Sequence, residues 1–156
     1  MIYSAPFTGI AVTAAQDFFE LLVPSDAVAR LLEVTLTQST DAGDAQSEQL
    51  SVSILRYTGS PTSGSGGGSI TPVSREGGQA ASGATVERNN TTGMSGGTSA
   101  VLHSESFNVM AGLCKTWTPE TAPVFSPGTY CVVRLNGAPA DSVTFDGTIY
   151  WDEIGG

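Results

Sequence analysis

Val143-Thr144-Phe145-Asp146-Gly147-Thr148-Ile149-Tyr150-Trp151-Asp152 alternates apolar and polar side chains. An extended chain points successive side chains to opposite faces, so Val143, Phe145, Ile149 and Trp151 share one face while Thr144, Asp146, Thr148, Tyr150 and Asp152 share the other. The stretch is a half-buried strand. The same pattern recurs at Leu32 to Thr37, Leu50 to Ile54 and Tyr130 to Leu135. Further strands are predicted at Ile10 to Ala14, Asp17 to Val23, Ala100 to His103, Phe107 to Met110 and Leu113 to Trp117. Two segments compete as helices. Phe18, Leu21 and Leu22 stand at helical spacing within Ala14 to Val23, and Ser25 is placed to cap a short turn through Glu33.

Between the patterned segments lies residues 59–97, with Gly64-Ser65-Gly66-Gly67-Gly68-Ser69 and Gly93-Met94-Ser95-Gly96-Gly97. Glycine-rich backbone loses much entropy on ordering, so this stretch reads as a long surface excursion inside one domain, with room for one short strand at Ala84 to Arg88. Short strands, turns rich in Gly and Pro and the weakness of helical signals predict an all-β antiparallel β-sandwich. With about eight strands, a jelly roll is the leading topology. Residues 1–9 read as an N-terminal arm, and residues 10–156 as a single β-sandwich domain.

A chain of 156 residues buries roughly 68–70 % of its unfolded surface, so a hydrophobic core forms without metal or disulfide staples. Charged residues make up 13 %, with a single lysine, Lys115, and the formal charge is −9. That field repels phosphate backbones and anionic lipid, which makes nucleic acid and membrane surfaces poor partners. No apolar run reaches the roughly 20 residues of a membrane span, and Met1-Ile2-Tyr3-Ser4 lacks a signal peptide's basic and apolar regions. Synthesis in the cytoplasm is the expectation.

Catalytic groups are sparse, and no enzyme activity or cofactor is expected. His103 is the single histidine and sits in a Val-Leu-His-Ser-Glu strand pattern with no nucleophile motif around it. One His and two distant Cys do not make a Zn²⁺ set. The loop from Ser39 to Glu48 holds three carboxylates, yet lacks the alternating ligand spacing of a Ca²⁺ loop and reads as a solvated acidic turn. Asp17 with Glu20, and Asp152 with Glu153, read as surface acids at strand edges rather than acid and base pairs. No Lys-Ser/Thr follows the Gly64–Gly68 run, so it is not a phosphate loop. Cys114 and Cys131 are predicted in adjacent strands. Two readings stand there: a disulfide formed after lysis, or two small buried hydrophobes.

Ala14-Ala15-Gln16-Asp17-Phe18-Phe19-Glu20-Leu21, the strand and loop from Thr37 to Glu48, and Leu102-His103-Ser104-Glu105-Ser106-Phe107-Asn108-Val109 together resemble small virion proteins of tailed bacteriophages. The closing pattern Tyr130 to Leu135, then Ala138-Pro139-Ala140 and Gly147-Thr148-Ile149 with Glu153, is similar too. The resemblance covers most of the chain and rests on packing motifs. It implies a jelly-roll-like decoration or cement protein on the capsid exterior, clustered as a homotrimer and clamping the major capsid protein. Met1, Ile2, Tyr3 and Phe7 in the arm, and the glycine-rich excursion, would then be contact segments. The rival class is a glycan-binding or neck module on a tail or fibre, with Trp117 near Glu120 or Tyr150 near Asp152 as the aromatic and acid of a sugar site.

Overall fold

Two antiparallel sheets pack face to face in the computed structural model, which describes residues 1–39 and 47–155. The described residues form no helix. Their strands are β1 (Ile2–Val12), β2 (Gln16–Leu22), β3 (Ala27–Gln38), β4 (Gln49–Thr58), β5 (Gly68–Ile70), β6 (Val73–Ser74), β7 (Thr85–Asn90), β8 (Thr98–Asn108), β9 (Leu113–Thr116), β10 (Val124–Phe125), β11 (Tyr130–Leu135) and β12 (Val143–Gly155). Sheet A runs β10-β3-β12-β1-β6, and β9 shares the outer edge of β3 with β10. Sheet B runs β5-β7-β2-β11-β4-β8.

The alternating stretch at 143–152 becomes β12, the middle of sheet A, paired with β1 on one side and β3 on the other. Val143, Phe145, Ile149 and Trp151 are buried, as alternation requires, and the inward row continues to Glu153. Gly147 occupies an inward position without a side chain because Phe7 fills the space: a Cβ there would stand 2.6 Å from the Phe7 ring. Across the core Phe18 meets Phe145 edge-on at 5.2 Å, and Phe7 meets Phe19 at 5.2 Å. Each such ring stabilises the sandwich by about 1.5–3 kcal/mol through burial alone.

Both helical alternatives are strands. The helical spacing of Phe18, Leu21 and Leu22 comes from a bulge: β2 pairs Phe19 with Val133 and Asp17 with Arg134, leaving Phe18 as an extra residue. A bulge breaks period two and puts Phe18 and Phe19 both into the core. The strands predicted at Ala100 to His103 and Phe107 to Met110 are one continuous β8, with its own irregularity at Leu102.

Residues 1–9 are not a free arm. They form most of β1, with Tyr3, Ala5 and Phe7 in the core, Tyr3 donating to the Ala80 carbonyl at 2.9 Å, and the Met1 amine bound to Asp152 and the Glu153 carbonyl. Tyr3, Ala5 and Phe7 are spaced by two, the period of a strand.

The glycine-rich segment 59–97 is likewise no loose loop. It carries β5, β6 and β7, β7 covering the strand predicted at Ala84 to Arg88, and its flanking turns lie on the outer face of sheet B. Isolated bridges tie Thr62 to Ser95 and Ser65 to Thr92. Glycine serves close approach here: a Cβ on Gly67 would lie 1.9 Å from the Arg88 carbonyl oxygen. A second small core, Leu55, Tyr57, Met94 and Val132, forms beneath the segment. Its anchor is Asp17, fully buried, which accepts two bonds from the Arg134 guanidinium and one from the Met94 amide at 2.7 Å.

Candidate binding groove

Where the two sheets end on the same side, β8 closes sheet B and β9 lies along the outer edge of β3 in sheet A. Among the described residues no strand covers that side, and a groove of about 410 Å³ opens there, lined by Leu102, His103, Lys115, Trp117, Thr118 and Pro123, among others. The volume lies within the range of small-ligand clefts. His103, Lys115 and Trp117 also line a small adjoining cavity whose other walls include Val34, Val52, Ile54 and Leu113.

Alternation places the lining. On β9, Leu113 points into the core, so Lys115 falls on the same side two residues later, and Trp117 follows, held by its amide to the Leu32 carbonyl at 3.1 Å. On β8 the break in register at Leu102 brings His103 and Glu105 to face them. His103 Nε2 lies 3.0 Å from Glu105 Oε2, and the imidazole meets the Trp117 ring edge-on at 5.8 Å. Lys115 reaches the same Glu105 oxygen at 3.1 Å, so one ion pair spans the open side from sheet to sheet. Bonds from His103 and from Lys115 hold the Glu105 carboxyl below its ordinary pKa. The pair is partly solvated and adds at most about 1 kcal/mol of stability. What the groove offers is an indole and aliphatic surface flanked by hydroxyls from Thr118 and Thr121, an ammonium and an imidazole.

His103 lies in strand β8, as its sequence pattern predicts, and its imidazole joins a polar cluster with Glu105 and Lys115. Trp117 lies in the groove, whereas Glu120 is not among its lining residues, and its carboxyl is held low by its own backbone and by the Thr118 side chain. Tyr150 lies elsewhere, on the outer face of sheet A under Arg75, 5.4 Å from guanidinium to ring centroid, and Asp152 holds the N-terminal amine. No sequence motif marks the groove; it exists because two distant strands end at one sandwich edge.

The acids expected on the surface are largely interior. Asp17, Glu20 and Glu153 are buried, and only Asp152 keeps substantial exposure. Glu20 accepts from the Gly64 amide at 2.9 Å and from the Ser63 hydroxyl at 2.7 Å, while burial pushes its carboxyl above the ordinary value. Glu153 accepts from the Ser82 hydroxyl and the Gly83 amide. In each case an outer-face or end-of-strand carboxylate pins the 59–97 segment to a sheet. Among the described residues no three His, Cys, Asp or Glu side chains converge on a metal-sized site. The acidic turn between Ser39 and Glu48 falls mainly on residues 40–46, outside the described ones.

Cys114 and Cys131 are not in neighbouring strands. Cys114 is exposed on β9 of sheet A, Cys131 is buried in β11 of sheet B, and both thiols are free. The hairpin that would have joined them does not form, because β9 pairs with β3 and β11 with β2 and β4. Burial alone pushes the Cys131 thiol far up, which leaves it a small core hydrophobe. Comparison with models of protein families, with curated proteins and with solved structures finds no match.

Proposed function

We propose that this chain is a structural protein of a tailed-phage virion that works by binding: it attaches to the capsid exterior, contacts the major capsid protein and stiffens the lattice, without catalysis. The sequence resemblance gives the setting. The observation that carries the binding mode is the open side of the sandwich, where Val101 is 61 % and Leu102 37 % exposed beside the Trp117 groove. Edge strands present unpaired backbone groups, and an apolar groove alongside gives a neighbouring extended segment both a ladder and side-chain pockets. Many weak contacts of this kind, repeated over a lattice, add up by mass action.

The strand order supports a jelly-roll reading. The orders β1-β12-β3-β9 and β2-β11-β4-β8 match those expected of the two four-stranded halves of such a fold, and on this reading β5, β6 and β7 are an insertion between its fourth and fifth strands. Met1, Ile2, Tyr3 and Phe7 do not form a flexible contact arm, since the segment is built into sheet A.

The test is co-sedimentation of the full chain with purified capsids, followed by thermal release of the packaged genome. Wild type should pellet with capsids and raise the release temperature, and Leu102→Asp with Trp117→Ala should do neither while keeping the fold. A wild-type chain that stays in the supernatant overturns the reading. A second reading, a sugar-binding tail module, is favoured by the indole beside the Thr118 and Thr121 hydroxyls. Retention on a glycan array, lost in Trp117→Ala, would select it.

A further inference from the structure

The outer face of sheet A carries no covering layer over much of its width, and its pattern is self-complementary. Reading the paired residues across β10, β3, β12 and β1 gives one row: Val124, Arg30, Asp152, Ile2. Val124 and Ile2, at its two ends, are 47 % and 44 % exposed. In the next row Val28 stands opposite Ile154, itself half exposed. The inward neighbours of these positions, Phe125, Ala29, Tyr3 and Trp151, are all in the core, so alternation turns the row outward.

Rotate such a face by 180° about an axis that runs between β3 and β12, parallel to them, and lay it on a copy of itself. The row reads backwards: Val124 meets the second copy's Ile2, Arg30 meets its Asp152, and Val28 meets its Ile154. Apolar falls on apolar and each guanidinium on a carboxylate. Arg30 lies partly exposed in this row, and no acid among the described residues pairs with its guanidinium. Three strands of eleven to thirteen residues, β1, β3 and β12, with β9 and β10 along the edge, spaced about 4.8 Å and rising about 3.4 Å per residue, give a face of roughly 700 Å². A stable two-fold contact takes about 800 Å² per partner. Chains with net charge −9 repel, which restricts pairing to a face where the signs alternate.

We propose that a second copy of this chain docks on the outer face of sheet A as a two-fold dimer, held by reciprocal Arg30–Asp152 pairs within an apolar frame of Val124, Ile2, Val28 and Ile154. The contact uses none of the groove residues and does not depend on the virion reading.

Sedimentation equilibrium of the full chain tests it, with circular dichroism as the control for folding. Wild type should fit a monomer–dimer equilibrium of 16.0 kDa units. Arg30→Asp should weaken dimerisation at least tenfold, and so should Asp152→Arg. The double swap Arg30→Asp with Asp152→Arg should bring the dimer back, because the signs again alternate. Val124→Lys, an exposed change that leaves the core alone, should also give monomer. A wild-type monomer at 100 µM, a trimer, or a dimer indifferent to Arg30→Asp and Val124→Lys would each overturn the proposal. Trp117→Ala should leave the dimer intact, which separates this contact from capsid attachment.

Discussion

Glu20 on β2 and Glu87 on β7 stand directly opposite each other, and the Ser63 hydroxyl reaches an oxygen of each, at 2.7 and 3.0 Å. Two carboxylates in register repel, and one hydroxyl has one proton to give. A second proton at this site removes the conflict, in keeping with the upward push that burial gives the Glu20 carboxyl.

The pH dependence follows from that sign. Because the folded chain holds the Glu20 proton more tightly than the unfolded chain, its contribution is fully present below the ordinary pKa of 4.5 and is lost as pH rises through the higher folded value. Glu20→Gln should remove this decline, so the stability of the variant relative to wild type should grow with pH above 4.5. Urea unfolding of both proteins from pH 4 to pH 8 measures it. Parallel curves would show that Glu20 keeps an ordinary pKa.

Asp17 and Arg134 make the same kind of tether with opposite charges. Arg134→Ala leaves a fully buried carboxylate without its cation and should cost about 3–5 kcal/mol. Asp17→Val combined with Arg134→Met should cost less than Arg134→Ala, since both charges go together; the remaining loss is the Met94 amide, about 1–3 kcal/mol. Equilibrium unfolding in denaturant gives both values. A double variant less stable than the single one would mean that the pair matters for more than mutual neutralisation.

Gly67 and Gly77 belong to the same glycine-rich segment and should respond differently. Nothing lies within 4 Å of a Cβ on Gly77, while one on Gly67 collides with backbone. Gly67→Ala should therefore destabilise by about 1–3 kcal/mol, and Gly77→Ala should be neutral within about 0.5 kcal/mol. Thermal unfolding of the two variants compares them directly. By the same logic, deleting Ser63 to Ser69 removes the Glu20 tether and should lower stability rather than be tolerated as loop shortening.

Thiol chemistry distinguishes the two sheets. A maleimide added to native protein should attach once per chain, at Cys114, and a second time only after denaturation exposes Cys131. Peptide mass spectrometry locates the adduct. Labelling of Cys131 in the native state would mean that sheet B opens easily around β11.

Strands whose two faces differ sharply in polarity were readable from residue order alone, and the segments at 32–37, 50–54, 130–135 and 143–152 all lie in strands. Sheet pairing was not, because it joins residues such as Arg134 and Asp17 that are 117 positions apart. Two regions mislead for physical reasons. Glycine at 64 to 68 reads as entropy, yet the property in use is the missing Cβ, which depends on a neighbour the local sequence does not reveal. Ile2 to Phe7 reads as a terminal arm by position, although Tyr3, Ala5 and Phe7 already show period two. The groove was legible only as single residues, His103 and Trp117, whose meeting depends on two sheet edges ending together.

β12 lies at the middle of sheet A, between β1 and β3, yet it is made after every other strand described above. On the ribosome, β1 and β3 have each other's company for more than a hundred residues without the element that joins them. Sheet A therefore closes only after residues 143–155 have emerged, and its largely non-local pairing gives a high contact order and a correspondingly slow folding rate. Until then Tyr3, Phe7, Leu31 and Leu36 are exposed apolar strand residues, and the growing chain has to avoid pairing with its neighbours on the same messenger.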